Sequence, residues 1–154
     1  MSNKNITPEE KRLIFEDINA KLAFGTVKVI DTNDNEFDVE AIYWNKKTNK
    51  NFMNFQILIN GKWVQYDFKK YKLCLRSLLD MTEIEKKELI SNVFLNTTEA
   101  KYFNFDLEYN GIVIINNKNM NFVGSDVVLK LINYLDSHNF DVRDLIKQEL
   151  AIKI

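Results

Sequence analysis

One cysteine, one proline, one histidine and four glycines stand in this chain of 154 residues, and each scarcity removes a class of protein. A single thiol, Cys74, allows no internal disulfide and no cysteine cluster for zinc. Cys74 sits between Leu73 and Leu75, the setting of a small buried hydrophobe rather than of a reactive thiolate, and a reducing compartment fits it. Sparse glycine and proline argue against long disordered linkers, and no glycine-rich phosphate loop is present for nucleotide hydrolysis. One histidine, His138, falls short of the several clustered ligands that a metal centre wants. No apolar run approaches the ~18–20 residues of a membrane span, and the first residues are polar with no signal core. The expectation is a soluble cytoplasmic protein with no membrane partner, no metal and no cofactor.

What is present is an ordinary globular mix, 45% hydrophobic and 28% charged, enough for one domain over residues 1–154 with a core of its own. The net charge of −1 argues against wholesale attachment to nucleic acid or membrane, while leaving room for local patches. Eighteen lysines against three arginines, with twenty asparagines, reflect an AT-rich coding bias more than a fold requirement.

Thr7-Pro8-Glu9-Glu10 is a helix start: a capping hydroxyl, a proline for the first turn and a glutamate that reaches back. Leu13, Ile14, Phe15, Ile18 and Leu22 then form a stripe, with Gly25 as the stop, leaving Lys11, Glu16 and Lys21 for solvent. Alternating apolar residues from Val27 to Phe68, broken by the polar turn Asp31–Asn35, a lysine-bearing loop from 45 to 51 and the hairpin turn Asn60-Gly61, predict a four-stranded antiparallel meander over about 26–68. Thr82 opens a second helix to about Leu95. Phe103–Tyr109 and Ile112–Ile115 predict a second hairpin about Asn110-Gly111. A third helix is expected over Asp126–Ser137, and a short one, capped by Asp141, carrying Leu145 and Ile146 before an apolar tail. The fold class is α+β, with helices packed on the sheet.

Catalytic constellations are not visible in this pattern. Ser137, His138 and Asp141 are close in sequence, but a histidine at a helix end is expected to meet the last carbonyls. The carboxylate pairs Asp38/Glu40 and Asp106/Glu108 lie on strand faces that are ordinarily solvated. The strongest signal is electrostatic. Between residues 46 and 76 stand Lys46, Lys47, Lys50, Lys62, Lys69, Lys70, Lys72 and Arg76 against Asp67 alone, a local balance of +7. Trp63, Tyr66 and Tyr71 are interleaved, with Tyr66 expected to face the core. Lys46, Lys47, Lys62, Lys69, Lys70, Lys72 and Arg76 are therefore the candidate binding residues, for an acidic or RNA-bearing protein surface or, as the alternative, for nucleic acid itself. The acidic stretch Asp31–Glu40 makes the molecule electrically polarised.

Two blocks carry a resemblance. Residues 71–89, YKLCLRSLLDMTEIEKKEL, and residues 133–151, with Leu135, His138, Phe140, Asp141, Arg143, Leu145, Ile146, Leu150 and Ala151 at matching positions, resemble small accessory proteins of Bacteroidota phages, prophages and mobile elements. The similarity covers about a quarter of the chain. It departs where those proteins have proline before the leucine-arginine step (Leu73 or Cys74 here) and glycine near positions 144 and 149 (Asp144 and Glu149 here). The resemblance implies a genomic setting and no mechanism. Small phage proteins without enzymatic motifs often bind a host protein, and inhibitors of bacterial defence, anti-CRISPR proteins among them, are a prominent class. The expected function is thus a non-enzymatic phage or mobile-element protein that inhibits a host defence nuclease, with a CRISPR effector or its RNA-bound complex as partner. A nucleic-acid-binding accessory protein using residues 46–76 is the alternative.

Overall fold

The capping box at Thr7 is formed in the computed structural model, which describes residues 5–25, 27–44, 55–93, 103–106, 113–116 and 125–154. Thr7 Oγ1 accepts from the Glu10 amide at 3.2 Å, and the Glu10 carboxylate accepts from the Thr7 amide at 2.9 Å. Helix α1 then runs Pro8–Leu22, its proline in the turn that needs no amide. Among the described residues the further α-helices are α2, Glu83–Val93, and α3, Ser125–Ser137. Among the described residues the strands are β1 Val27–Asp31, β2 Glu36–Tyr43, β3 Gln56–Ile59, β4 Lys62–Gln65, β5 Tyr71–Leu75, β6 Phe103–Asp106, β7 Val113–Asn116 and β8 Ala151–Lys153. The class is α+β, and none of the described helices is long and apolar enough to cross a membrane.

The chain divides into two compact units, Met1–Arg76 with Arg143–Ile154, and Ser77–Val142. The first holds α1 and a six-stranded sheet of order β4-β3-β2-β1-β5-β8. Strands β1 to β4 are the antiparallel meander that alternation predicts. Asp31 Oδ1 closes the first turn by accepting from the Asn33 and Asn35 amides at 2.8 and 3.0 Å. Asn60 and Gly61, with φ of 51° and 73°, make the hairpin turn that needs two left-handed residues. Ile14 and Ile18 join Val27, Val29, Val39 and Ile57 in one apolar core.

Two strands of this sheet escape the alternation rule. β5 pairs antiparallel with β1, and β8 pairs parallel with β5, Leu73 opposite Ala151. All five residues of β5 are buried, so the period of two that marks a half-buried strand is missing.

The expected short helix after Asp141 is not formed. One turn stands in its place. The Gln148 amide donates to Asp144 O at 3.3 Å, and the turn ends at once: the Leu150 amide reaches Leu145 O at 2.8 Å and the Glu149 amide reaches Ile146 O at 3.0 Å. That pair of bonds with Glu149 at φ 59° is a Schellman ending. Asp144, at φ 56°, leaves the right-handed helical region at the other end, so no helix can grow in either direction. The same ending closes α3, where the Phe140 amide donates to Leu135 O at 3.0 Å and Asn139 takes φ 59°. The sharp exit after Glu149 delivers Ala151 to the sheet edge. Phe140 and Leu145 are buried and Ile146 partly so, as the apolar pattern predicts.

In the second unit the Thr82 capping box is formed, with bonds of 2.9 and 3.1 Å to Glu85. Leu131 and Leu135 of α3 are buried, and Tyr134 Oη reaches Glu88 Oε2 of α2 at 3.1 Å. β6 and β7 pair antiparallel, Asp106 opposite Val113; the Asn110-Gly111 turn lies outside the described residues.

Candidate binding surface

The basic region divides once it is folded. Lys46, Lys47 and Lys50 lie outside the described residues. Lys62 is exposed beside the Asn60-Gly61 turn. Lys69 and Lys70 are held out by a turn that Asp67 builds: its Oδ1 accepts from the Lys69 amide at 2.9 Å, and its carbonyl accepts from the Lys70 and Tyr71 amides at 2.9 and 2.8 Å. Lys72, on β5, turns inward instead. Its Nζ lies 3.0 Å from the centroid of the Phe68 ring and donates to Glu149 O at 3.4 Å. That lysine ties β5 to the C-terminal turn. Arg76 is half-buried just beyond β5.

The aromatic residues divide in the same way. Tyr66 is buried as expected, stacked on Phe55 with ring centroids 4.9 Å apart, and burial pushes its hydroxyl pKa up. Tyr71 is buried too. Trp63 is 49% exposed and Tyr43 is 52% exposed, packed edge to face at 6.3 Å. Register explains the difference. Val64 pairs with Ile57 on the core side, so Trp63 and its partner Leu58 point to the other face, where Ala41 and Tyr43 also lie. β4 is an edge strand, so among the described residues no strand continues the sheet past Trp63.

Between the start of α1 and the end of β4 lies a cleft of about 810 Å³. Ile6, Ile14, Phe55, Val64, Tyr66 and Phe68 contribute apolar walls. Lys11, Lys69, Lys70 and Asp67 also line it. Lys11 belongs to α1, and only the fold brings it beside the Lys69-Lys70 pair.

A second charged group was not foreseen. Lys21, expected in solvent, is fully buried with its Nζ 2.6 Å from Asp17 Oδ1, and Arg143 NH1 reaches the same oxygen at 2.7 Å. Asp17 Oδ2 is buried without a hydrogen-bond partner. Burial raises the Asp17 pKa, against the opposing pull of the two cations. The signal in the sequence was spacing: Ile14, Asp17, Ile18 and Lys21 share one helical face, and the charged pair sits inside the apolar stripe. Arg143 thereby ties the segment before the C-terminal turn to α1.

The remaining candidates have local work. Ser137 Oγ donates to Tyr134 O at 2.6 Å, and His138 Nδ1 lies 2.9 Å from the same carbonyl. Ser137 Oγ also lies 2.9 Å from His138 Nδ1, and because a carbonyl only accepts, the tautomer with its proton on Nδ1 is the one that suits the Tyr134 contact. Glu36 and Asp38 share Lys28 at 3.3 and 3.6 Å. Cys74 is buried, and desolvation pushes its thiol up to about 11. Among the described residues no three His, Cys, Asp or Glu side chains gather as a metal site. Comparison with protein-family models, with curated proteins and with solved structures finds no match for this chain.

Proposed function

We propose that this protein works by binding rather than by catalysis, docking on a protein partner through the outward face of β2, β3 and β4. The observation that carries the reading is the Tyr43–Trp63 pair, half exposed to water with Lys62 nearby on the same hairpin. Tryptophan and tyrosine dominate interface energetics because they bury large areas at low entropic cost. Lys62, Lys69 and Lys70 add attraction for an acidic or RNA-bearing surface.

The setting follows from the two resembling blocks: an accessory protein of a phage or mobile element, acting in the cytoplasm of its host. Support comes from the backbone. Glycine is the residue best suited to the positive φ of positions 144 and 149, and the resembling sequences usually have glycine near those positions. A small binding protein in that setting fits an inhibitor of a host defence nuclease, with a CRISPR effector or its RNA-bound complex as the class of partner. A bare nucleic-acid strand fits less well. Single strands stack on successive exposed ring faces, whereas Tyr66 and Tyr71 are buried and Trp63 and Tyr43 meet edge to face.

Affinity capture from host lysate, with and without nuclease, tests the reading. The parent should retain one protein partner after nuclease treatment, and Trp63→Ala should lose it. Binding that disappears entirely with nuclease would move the assignment to nucleic acid.

A further inference from the structure

We propose that the cleft between α1 and β4 is a binding site for a small amphipathic anion: a phosphate or carboxylate head on an apolar body about one or two rings in size. The cleft shares Lys69 and Lys70 with the surface proposed for docking, but Trp63 does not line it.

Three observations converge on that chemistry. The first is size. A cleft of about 810 Å³ falls inside the ~300–1,000 Å³ range of small-molecule sites. The second is its wall. Ile6 and Val64 are half-buried, and behind them the Phe55, Tyr66 and Phe68 rings are each more than nine-tenths buried, so they offer the cleft slivers of ring surface. The electropositive edges of such rings are compatible with a nearby anion. The third is the charge along the lining. Lys69 and Lys70 are exposed at the cleft beside Asp67, whose Oδ1 accepts from the Lys69 amide, and Lys11 of α1 also lines it. Asp31 lies outside the lining but near enough to feel Lys70; its carboxylate stays charged, held by the Asn33 and Asn35 turn. A net positive lining beside an apolar wall fits a ligand with one charged end and one greasy end. A purely apolar ligand would gain nothing from the lysines of the lining, and a bare inorganic anion nothing from its apolar residues.

The segments that shape the cleft are fixed by local bonds. Lys11 is held by α1, whose first turn is pinned through the Thr7 box, with the Lys11 amide on Thr7 O at 3.1 Å. The Lys69-Lys70 turn is pinned by Asp67. The Tyr66 amide donates to Phe55 O at 2.9 Å, which fixes the back wall. The backbone of the site is thus organised before any ligand arrives, which lowers the ordering cost of binding.

The test uses 1-naphthyl phosphate as probe, with 1-naphthol and inorganic phosphate as half-ligands, followed by amide chemical shifts and equilibrium dialysis. Naphthyl phosphate should bind at least about tenfold tighter than either half-ligand and shift the Val64–Tyr71 amides. Lys11→Gln/Lys69→Gln/Lys70→Gln should weaken it about tenfold or more with an unchanged melting temperature. Trp63→Ala should bind it like the parent, so failure of this site and failure of the docking face are told apart. Absence of binding at ~5 mM probe, equal affinity for 1-naphthol, or full affinity in the triple variant would each overturn the proposal.

Discussion

The first unit holds two sets of cations that look alike in the sequence and behave oppositely in the fold. Lys21, Lys72 and Arg143 are drawn inward, onto Asp17, onto the Phe68 ring and the Glu149 carbonyl, and onto Asp17 again. Lys62, Lys69 and Lys70 are left in water. A charge count along the chain weighs all six equally. The fold separates them by register and helical face, so one set builds the molecule and the other is free to meet something outside it. The difference teaches that a basic stretch marks a binding surface only after the lysines that serve the core are subtracted.

The sharpest way to break this comparison is to remove a member of the inner set. Lys21→Ala leaves the buried Asp17 carboxylate to Arg143 alone and should cost up to about 3–5 kcal/mol in urea unfolding. Replacing the trio together with apolar residues, Asp17→Leu/Lys21→Met/Arg143→Met, should be neutral or stabilising, because the desolvation of all three charges disappears with their attraction. A cost for Lys21→Ala below about 1 kcal/mol would place the inner and outer lysines in one class. Protonation offers a second view of the same group. Burial raises the pKa of Asp17 in the folded state, so the fold binds this proton more tightly than the unfolded chain does. The stability this carboxyl contributes is therefore full below the usual carboxylate pKa and is lost as pH rises through the raised folded value. A carboxyl-carbon NMR titration should find the Asp17 midpoint above ~4, the ordinary aspartate value; a lower midpoint would mean that the two cations outweigh burial.

Smaller effects sharpen the picture at the C-terminal turn. Glu149 sits at φ 59° where a side chain costs ~1–2 kcal/mol, and glycine gives back part of that as unfolded-state entropy. Glu149→Gly should raise stability by about 0.5–1 kcal/mol while leaving the carbonyl that Lys72 holds. Asp144→Gly should gain less, because aspartate tolerates the left-handed region better. No gain at either position would mean that the left-handed backbone costs these two side chains little. Smallest in stability is the outer set. Lys69→Glu/Lys70→Glu should change unfolding free energy by no more than about 1 kcal/mol, yet slow association with an acidic partner and flatten its salt dependence. An unchanged association rate across a salt series would make these lysines merely solvated.

How much of this was legible depended on whether a signal was local. The capping boxes at Thr7 and Thr82, the Asn60-Gly61 turn and the meander were readable because each rests on neighbouring residues or a period of two. β5 gave no such period, since all of its residues are buried, and β8 is three residues long and has meaning only beside β5. The helix expected after Asp141 had apolar residues and a cap, but its ends were set by positive φ at Asp144 and Glu149, residues that do not announce it as glycine would. Of the candidate site, Lys62, Lys69 and Lys70 stand exposed, while Lys72 turned inward and Lys11 joined from a helix some sixty residues earlier. That exchange is long-range and leaves no mark in either segment.

The proposed binding role rests on the outward aromatic pair, and Trp63→Ala tests it most directly. Its affinity for the captured partner and its melting temperature should be measured beside those of the parent. The expected result is a loss of at least ~2 kcal/mol in binding with a stability change within about 1 kcal/mol, since Trp63 lies on an edge strand and is half in water. Full affinity in Trp63→Ala would contradict the assignment of this face as the interface.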